Sequence, residues 1–198
     1  MVSIDWIFLD LGGVLYRLDY DGVLKRFCRR SGKTASELEE VLHDYELFRC
    51  FELGSITPQD FHQRITKRIQ CNISFDEFSR IWNSLLVPKK SMFRLAQRLK
   101  NRIDLLILSN TNEMNAAVID PHIRGITDKV VYSHRVGYMK PDPRIYEEAL
   151  KLSGAVPENT LFIDDRRENI EGARPLGFNT HHFQDKRTLL RTIREYGL

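Results

Sequence analysis

Four short stretches of this 198-residue chain hold side chains suited to chemistry, each at the end of an apolar run or just ahead of a helical one. Asp10 ends the run Phe8-Leu9 and is followed by Leu11-Gly12-Gly13, so its carboxylate stands beside backbone that can approach a ligand closely. Ser109-Asn110-Thr111 follows the run 103–108. Lys140-Pro141-Asp142-Pro143 precedes a helical pattern. Asp164-Asp165 follows Leu161-Phe162-Ile163, with Asn169 about one helical turn on. Carboxylates can hold a hard cation or attack an electrophile. An ammonium and a hydroxyl can hold an anion. Singly, each stretch has an ordinary use: a strand-terminal Asp caps a helix, Ser-Asn-Thr makes a turn, Lys-Pro fills a loop, and paired aspartates open a helix. All four together, where an open α/β sheet puts its ligand, exceed those uses.

Hydropathy locates the elements that must position these residues. Apolar runs at 6–9, 103–108, 130–132, 161–163 and 178–183 predict strands. The first four lack polar/apolar alternation, as expected of strands covered on both faces. Helical patterns occupy 89–101, 112–119, 143–153, 168–176 and 186–196. The alternation predicts an α/β fold, a Rossmann-like parallel sheet with helices on both faces. The segment 20–87 breaks it and contains no convincing strand. Leu24/Phe27/Cys28, Phe61/Ile65/Ile69 and Phe75/Phe78/Ile81/Trp82/Leu85 form helical stripes, predicting about four helices packed on their own aromatic core. Thr57-Pro58 and Ser74 mark helix starts, with Asp60 and Glu77 at the capping-box position. The chain therefore divides into an α/β core, residues 1–18 and 88–198, and an inserted helical-bundle cap, residues 19–87.

Composition bounds the function. Lys+Arg 30 against Asp+Glu 27 leaves a net charge of +3, with no basic stripe for nucleic acid. Hydrophobic residues at 42% and charged residues at 29% describe a globular chain. Cys28, Cys50 and Cys71 have no CxxC spacing and read as reduced thiols. The aliphatic run Leu105-Leu106-Ile107-Leu108 is too short to span a bilayer, and Asp5 and Asp10 spoil the N-terminal run as a signal peptide. These features predict a cytoplasmic protein with no membrane or nucleic-acid partner. They do not specify an oligomeric state. His43, His62, His122, His134, His181 and His182 show no metal-ligand spacing, and Lys89-Lys90 and Arg166-Arg167 read as solvated charge pairs, with a substrate-facing role open for Arg166 and Arg167 because they follow the acidic pair.

The order of the four stretches resembles the haloacid dehalogenase (HAD) superfamily, and in particular its phosphatase branch with a small helical cap. The longer strings carry the likeness: Leu108-Ser109-Asn110-Thr111-Asn112, Gly137-Tyr138-Met139-Lys140-Pro141-Asp142-Pro143, and Asp164-Asp165-Arg166-Arg167-Glu168-Asn169. They look most like bacterial α-D-glucose-1-phosphate phosphatases and are similar to the phosphatase domain of soluble epoxide hydrolase. The resemblance implies Mg²⁺-dependent hydrolysis of a small phosphorylated metabolite, such as a sugar phosphate. Asp10 would be the nucleophile forming an aspartyl-phosphate, with Ser109 and Lys140 as its catalytic partners. Asn110, Thr111 and Lys140 would bind the phosphoryl group. Asp10, the Gly12 carbonyl, Asp165 and, through water, Asp164 would hold the metal, with Asn169 orienting the acidic pair.

One position departs from the pattern. Most HAD phosphatases place a second Asp, the general acid and base, two residues after the nucleophile; here Gly12 stands there. A lost general acid costs about 10²–10⁴ in rate. Either the leaving group is a good one, such as an anomeric oxygen, or a cap residue substitutes (Asp19, His43 and Asp44 are candidates), or the protein binds phosphate ligands without turnover. The glucose-1-phosphate phosphatase-like branch also lacks this Asp, which favours retained activity. A haloacid dehalogenase is a further alternative, disfavoured by Gly12 and by the acidic pair. The stretch 51–57 resembles the cap loop of the same branch, readable as a helix–helix turn or as a substrate-contacting loop. Asp19-Tyr20-Asp21-Gly22 imitates the nucleophile motif but lacks a strand before it, and reads as the entry to the cap.

Overall fold

The computed structural model describes residues 3–42, 44–127 and 129–198. A parallel five-stranded sheet runs in the order β5-β4-β1-β6-β7, formed by β1 (Trp6–Leu9), β4 (Asp104–Ser109), β5 (Val130–Tyr132), β6 (Thr160–Asp164) and β7 (Asn179–His182). Its central strand explains the absence of alternation. Ile7 and Leu9 point into one cluster with Leu105, Ile107, Leu161 and Ile163, and Phe8 points into another with Leu106, Leu108 and Phe162. Helices α6 (Lys90–Lys100), α7 (Glu113–Ile123) and α11 (Lys186–Glu195) cover the first face. After the one-turn helix α8 (Ser133–Val136), helices α9 (Pro143–Ser153) and α10 (Arg167–Ala173) cover the other. The predicted sheet and its two helical layers are therefore present, with α7 running four residues past the predicted 112–119 end at 119.

The segment between β1 and α6 differs in two ways from the sequence reading. It holds five helices among the described residues: α1 (Tyr20–Ser31), α2 (Ala35–Leu42), α3 (Tyr45–Glu52), α4 (Pro58–Arg68) and α5 (Phe75–Asn83). It also ends in a strand, β3 (Leu86–Pro88), antiparallel to β2 (Tyr16–Leu18). Three-residue strands carry too little periodicity to show in a sequence. The β2–β3 ribbon joins the helical segment to the sheet at both its ends. Phe27, Phe51, Phe61, Phe78 and Trp82 form the helical cluster, where Phe51 and Phe61 stack with centroids 4.2 Å apart. Helix α4 begins with the expected capping box of Thr57 and Asp60, whereas Ser74 caps α5 on one side only, accepting from the Glu77 N–H. Met114 of α7 joins this cluster from the core side. Helix α1 begins at Tyr20, as the reading of Asp19 to Gly22 requires. No helix among the described residues is long and apolar enough to cross a membrane.

Candidate active site

The C-terminal ends of β1, β4 and β6 bring Asp10, Ser109 and Asp164 to one edge of the sheet. Parallel register aligns Leu9 with Ile107 and with Ile163, so Asp10 and Asp164 emerge at one level and Ser109 one residue further on. The Asp10 N–H donates to the Ile163 carbonyl at 3.0 Å, holding the nucleophile candidate against β6. Ligand oxygens of Asp10, Asp164 and Asp165 all lie within 4.8 Å of one another. Between them stands the Lys140 ammonium, 2.9 Å from Asp10 Oδ1 and 2.6 Å from Asp164 Oδ2, with a third donor on the Leu108 carbonyl at 2.8 Å. All three protons of the ammonium are thus engaged. Burial alone would lower the Lys140 pKa, but the two aspartates outweigh it and raise it.

Two backbone approaches set this geometry. Gly13 has φ +68, and a Cβ there would fall 1.9 Å from Asp165 Oδ2. Only glycine permits the nucleophile loop to close on that carboxylate. Gly172 of α10 packs likewise on the loop that carries Lys140, where a Cβ would meet the Pro141 Cβ at 2.8 Å. The Lys140–Pro141 peptide is cis. Asn110 links this loop to the end of β4: its Nδ2 donates to the Lys140 carbonyl at 2.9 Å, and its Oδ1 accepts from the Lys140 N–H at 2.8 Å.

Crowded carboxylates raise one another's pKa. Asp10 is raised by burial and by Asp164, against the lowering effect of Lys140. Asp165 is raised by burial and then by Asp164. Asp164 is fully buried and held by Asn169, whose Nδ2 lies 3.0 Å from both its oxygens, and by the Arg166 N–H at 2.8 Å. The opposite atom of that amide, Asn169 Oδ1, is buried without a partner. An acidic cluster with an orphaned acceptor beside it suits a hydrated hard cation, whose ligand oxygens and waters answer both needs.

A cavity of about 310 Å³ opens over these groups, lined by Asp10, Ser109, Asn110, Lys140 and Asp165. Gly12 lines it too, its carbonyl accepting from the Val14 N–H at 2.7 Å and retaining a second lone pair. Asp164 lies beneath the cavity rather than in its wall. Thr111, read as a phosphoryl ligand, does not line it. Its N–H donates to Ser133 Oγ at 2.9 Å and its carbonyl lies 3.0 Å from that hydroxyl, so it braces the loop instead.

Three residues from beyond the four stretches reach the cavity: Leu18 of β2, Tyr20 of α1 and Glu52 at the end of α3. The stretch 51–57 contained Glu52, and Gly54 is its signal: a Cβ at Gly54 would fall 2.2 Å from the His134 carbonyl, so this turn is pressed onto the core. Arg166 borders the cavity while staying exposed and paired with Glu168, and Arg167 is exposed and paired with Glu171. The reading of Lys89 as a solvated charge is corrected, since its ammonium bonds the Gly13 carbonyl and sits 5.1 Å over the Phe183 ring. Two of the three candidate acids do not supply the site. Asp19 pairs with Arg17 at 3.1 Å, and Asp44 caps α3 and pairs with Arg68, both away from the cavity wall. His43 lies outside the described residues.

Comparison with known proteins agrees with this geometry. A sequence profile described as haloacid dehalogenase-like hydrolase matches residues 4–177. A D-ribitol-5-phosphate phosphatase of Bacteroides thetaiotaomicron is 25% identical over 185 residues, covering 88% of this chain and 89% of that protein. A HAD family enzyme of the same organism, solved with magnesium and inorganic phosphate, superposes with a TM-score of 0.86 at 27% identity, covering 96% of this chain and 100% of the other. A HAD-like hydrolase of Porphyromonas gingivalis superposes at 0.80 with 28% identity over 97% of this chain and 98% of its own.

Proposed function

The chain belongs to the haloacid dehalogenase-like hydrolases, and from that premise we propose that it is a Mg²⁺-dependent phosphatase of small phosphomonoesters working through an aspartyl-phosphate on Asp10. The observation that carries the reading is the Lys140 ammonium placed between Asp10 and Asp164, with Asp165 in ligand range of both. A polyol or sugar phosphate, such as D-ribitol 5-phosphate or glucose 1-phosphate, suits the polar wall and the size of the cavity.

Asp10, Asp165 and the Gly12 carbonyl would hold the Mg²⁺, with Asp164 acting through water and fixed by Asn169. When bound, the ion offsets the repulsion between a carboxylate and a phosphate dianion. Asp10 attacks phosphorus in line, expelling the leaving oxygen, and water then cleaves the acyl phosphate. Lys140 keeps Asp10 ionised and turned toward the ligand, and its charge falls where the phosphoryl oxygens gather negative charge. Ser109, at the end of β4, and the backbone beside Asn110 hold those oxygens. Thr111 supports them from behind. Helices α1–α5, within 19–87, act as a cap that closes the cavity against bulk water. Free thiols at Cys28, Cys50 and Cys71 suit a cytoplasmic setting.

Phosphate release from p-nitrophenyl phosphate, D-ribitol 5-phosphate and glucose 1-phosphate, measured with Mg²⁺ and with chelator, tests the reading. Metal-dependent turnover absent from Asp10→Asn supports it. No release above that variant on any substrate sinks it.

A further inference from the structure

Gly12 cannot donate a proton, and no other side chain of the nucleophile loop takes its place. We infer that Glu52 protonates the leaving-group oxygen, a role that rests on the phosphatase reading above. Around the cavity, Asp10 and Asp165 belong to the metal and nucleophile cluster, Lys140 spends its protons on three acceptors, and Arg166 cannot release one. Glu52 is the carboxyl of the described lining that stands outside that cluster.

Its placement is built rather than incidental. Ser133, fully buried at the end of β5, donates its hydroxyl to the Glu52 carbonyl at 2.6 Å. Ser133 Oγ in turn accepts from the Thr111 N–H, next to the Ser109-Asn110 end of β4. One serine thus ties the end of α3 to the loop proposed to hold the phosphoryl oxygens. The close approach of Gly54 to the His134 carbonyl fixes the turn that follows. Helix α3 brings its own hydrophobic anchor, Phe51, stacked on Phe61 one residue before the carboxylate. Burial raises the Glu52 pKa, opposed by Arg166, and a raised value is the direction a general acid requires.

The step balances. Asp10 forms the new O–P bond, the P–O bond to the leaving group breaks, and the departing oxygen takes the Glu52 proton, yielding an alcohol and a Glu52 carboxylate. That carboxylate then removes a proton from water as it attacks phosphorus. The Asp10–phosphorus bond breaks, inorganic phosphate departs, and Glu52 is protonated again.

Leaving-group dependence tests the role. Phenyl phosphate and p-nitrophenyl phosphate have similar shape, but phenolate is the more basic leaving group and depends more on protonation. Glu52→Gln, with Mg²⁺ present, is expected to raise the p-nitrophenyl/phenyl ratio of kcat/KM by about tenfold or more, within the range that general-acid loss produces. An unchanged ratio, whether both substrates slow equally or neither does, overturns the role of Glu52. Wild-type protein inactive on both aryl esters and on the polyol and sugar phosphates above overturns the phosphatase reading as well, and so separates the two failures. Should Glu52→Gln not fold, Ser133→Ala loosens the same carboxylate and is expected to move the ratio in the same direction by a smaller factor. An unchanged ratio there is equally fatal.

Discussion

Asn110 and Lys140 exchange two hydrogen bonds, side-chain amide to backbone amide, at 2.9 and 2.8 Å. The pair locks the end of β4 to the loop that carries the ammonium. The Asn110 side chain, read from the sequence as a phosphoryl ligand, is thereby engaged in holding the neighbouring loop. Asn110→Ala removes both bonds while deleting no charged group. Partners of this kind typically cost about 10–100-fold when lost. The variant is expected to lose that much in kcat, with a smaller change in KM, because the ammonium is displaced from the reacting atoms while the substrate's other contacts remain. Steady-state kinetics on p-nitrophenyl phosphate check it; a KM effect alone would assign Asn110 directly to ligand binding.

What could be read ahead of the structure follows from how the site is made. Asp10, Ser109 and Asp164 end parallel strands, and strand ends in a parallel sheet share an edge whatever the details of packing. Linear order was therefore enough to place them together. Glu52 and Tyr20 reach the cavity through the packing of helices α1 and α3 on the core, which depends on side-chain shape across a seam and leaves no periodic trace. Lys89 looked like a surface charge because a lysine stem can be half-buried while its head finds a carbonyl. The ribbon of β2 and β3 was hidden by its length, since each strand has only three residues.

Asp165 is a carboxylate strained by its neighbours in the metal-free protein. Its pKa is raised, first by burial and then by Asp164. A carboxyl with a raised folded-state pKa binds protons more tightly folded than unfolded, so it subtracts stability as pH rises past its unfolded value. At neutral pH Asp165→Asn is expected to raise the thermal midpoint in chelator by a few degrees. The same change removes a proposed ligand, so added Mg²⁺ should shift the midpoint of the wild type upward and leave the variant nearly unmoved. Calorimetry with and without Mg²⁺ decides; a variant less stable in chelator contradicts the electrostatic account.

Gly13 combines a left-handed backbone with a van der Waals conflict. A methyl group there meets Asp165 Oδ2 at 1.9 Å at a φ of +68. The left-handed conformation costs about 1–2 kcal/mol for an alanine, and the carboxylate must also swing away. Gly13→Ala is expected to weaken Mg²⁺ activation by about 10–100-fold, the scale for disturbed ligand support. Titrating activity against Mg²⁺ measures this. An unchanged half-saturation would mean that Asp165 does not hold the metal from its present position.

His181, on β7 beside β6 and outside the cavity lining, supplies a separate pH dependence. Its Nδ1 lies 2.9 Å from the Thr192 hydroxyl, and its Nε2 is buried with no partner. Burial, reinforced by His182, lowers its pKa below the ordinary 6.5, against Asp185 and Glu195, which favour the charged form. Between the folded value and 6.5 the unfolded chain binds more protons, so this group makes stability fall as pH drops through 6.5. Asp10, Glu52 and Asp165, all raised, act in the opposite sense over acidic pH. The contribution of His181 is therefore isolated by difference. His181→Asn keeps a polar partner for Thr192 and removes the titration. The gap in urea midpoint between pH 7.5 and pH 5.5 is expected to shift toward greater relative stability at the lower pH in the variant. Equal gaps in both proteins would mean that His181 accepts its proton as readily folded as unfolded, with water or a moving carboxylate reaching Nε2.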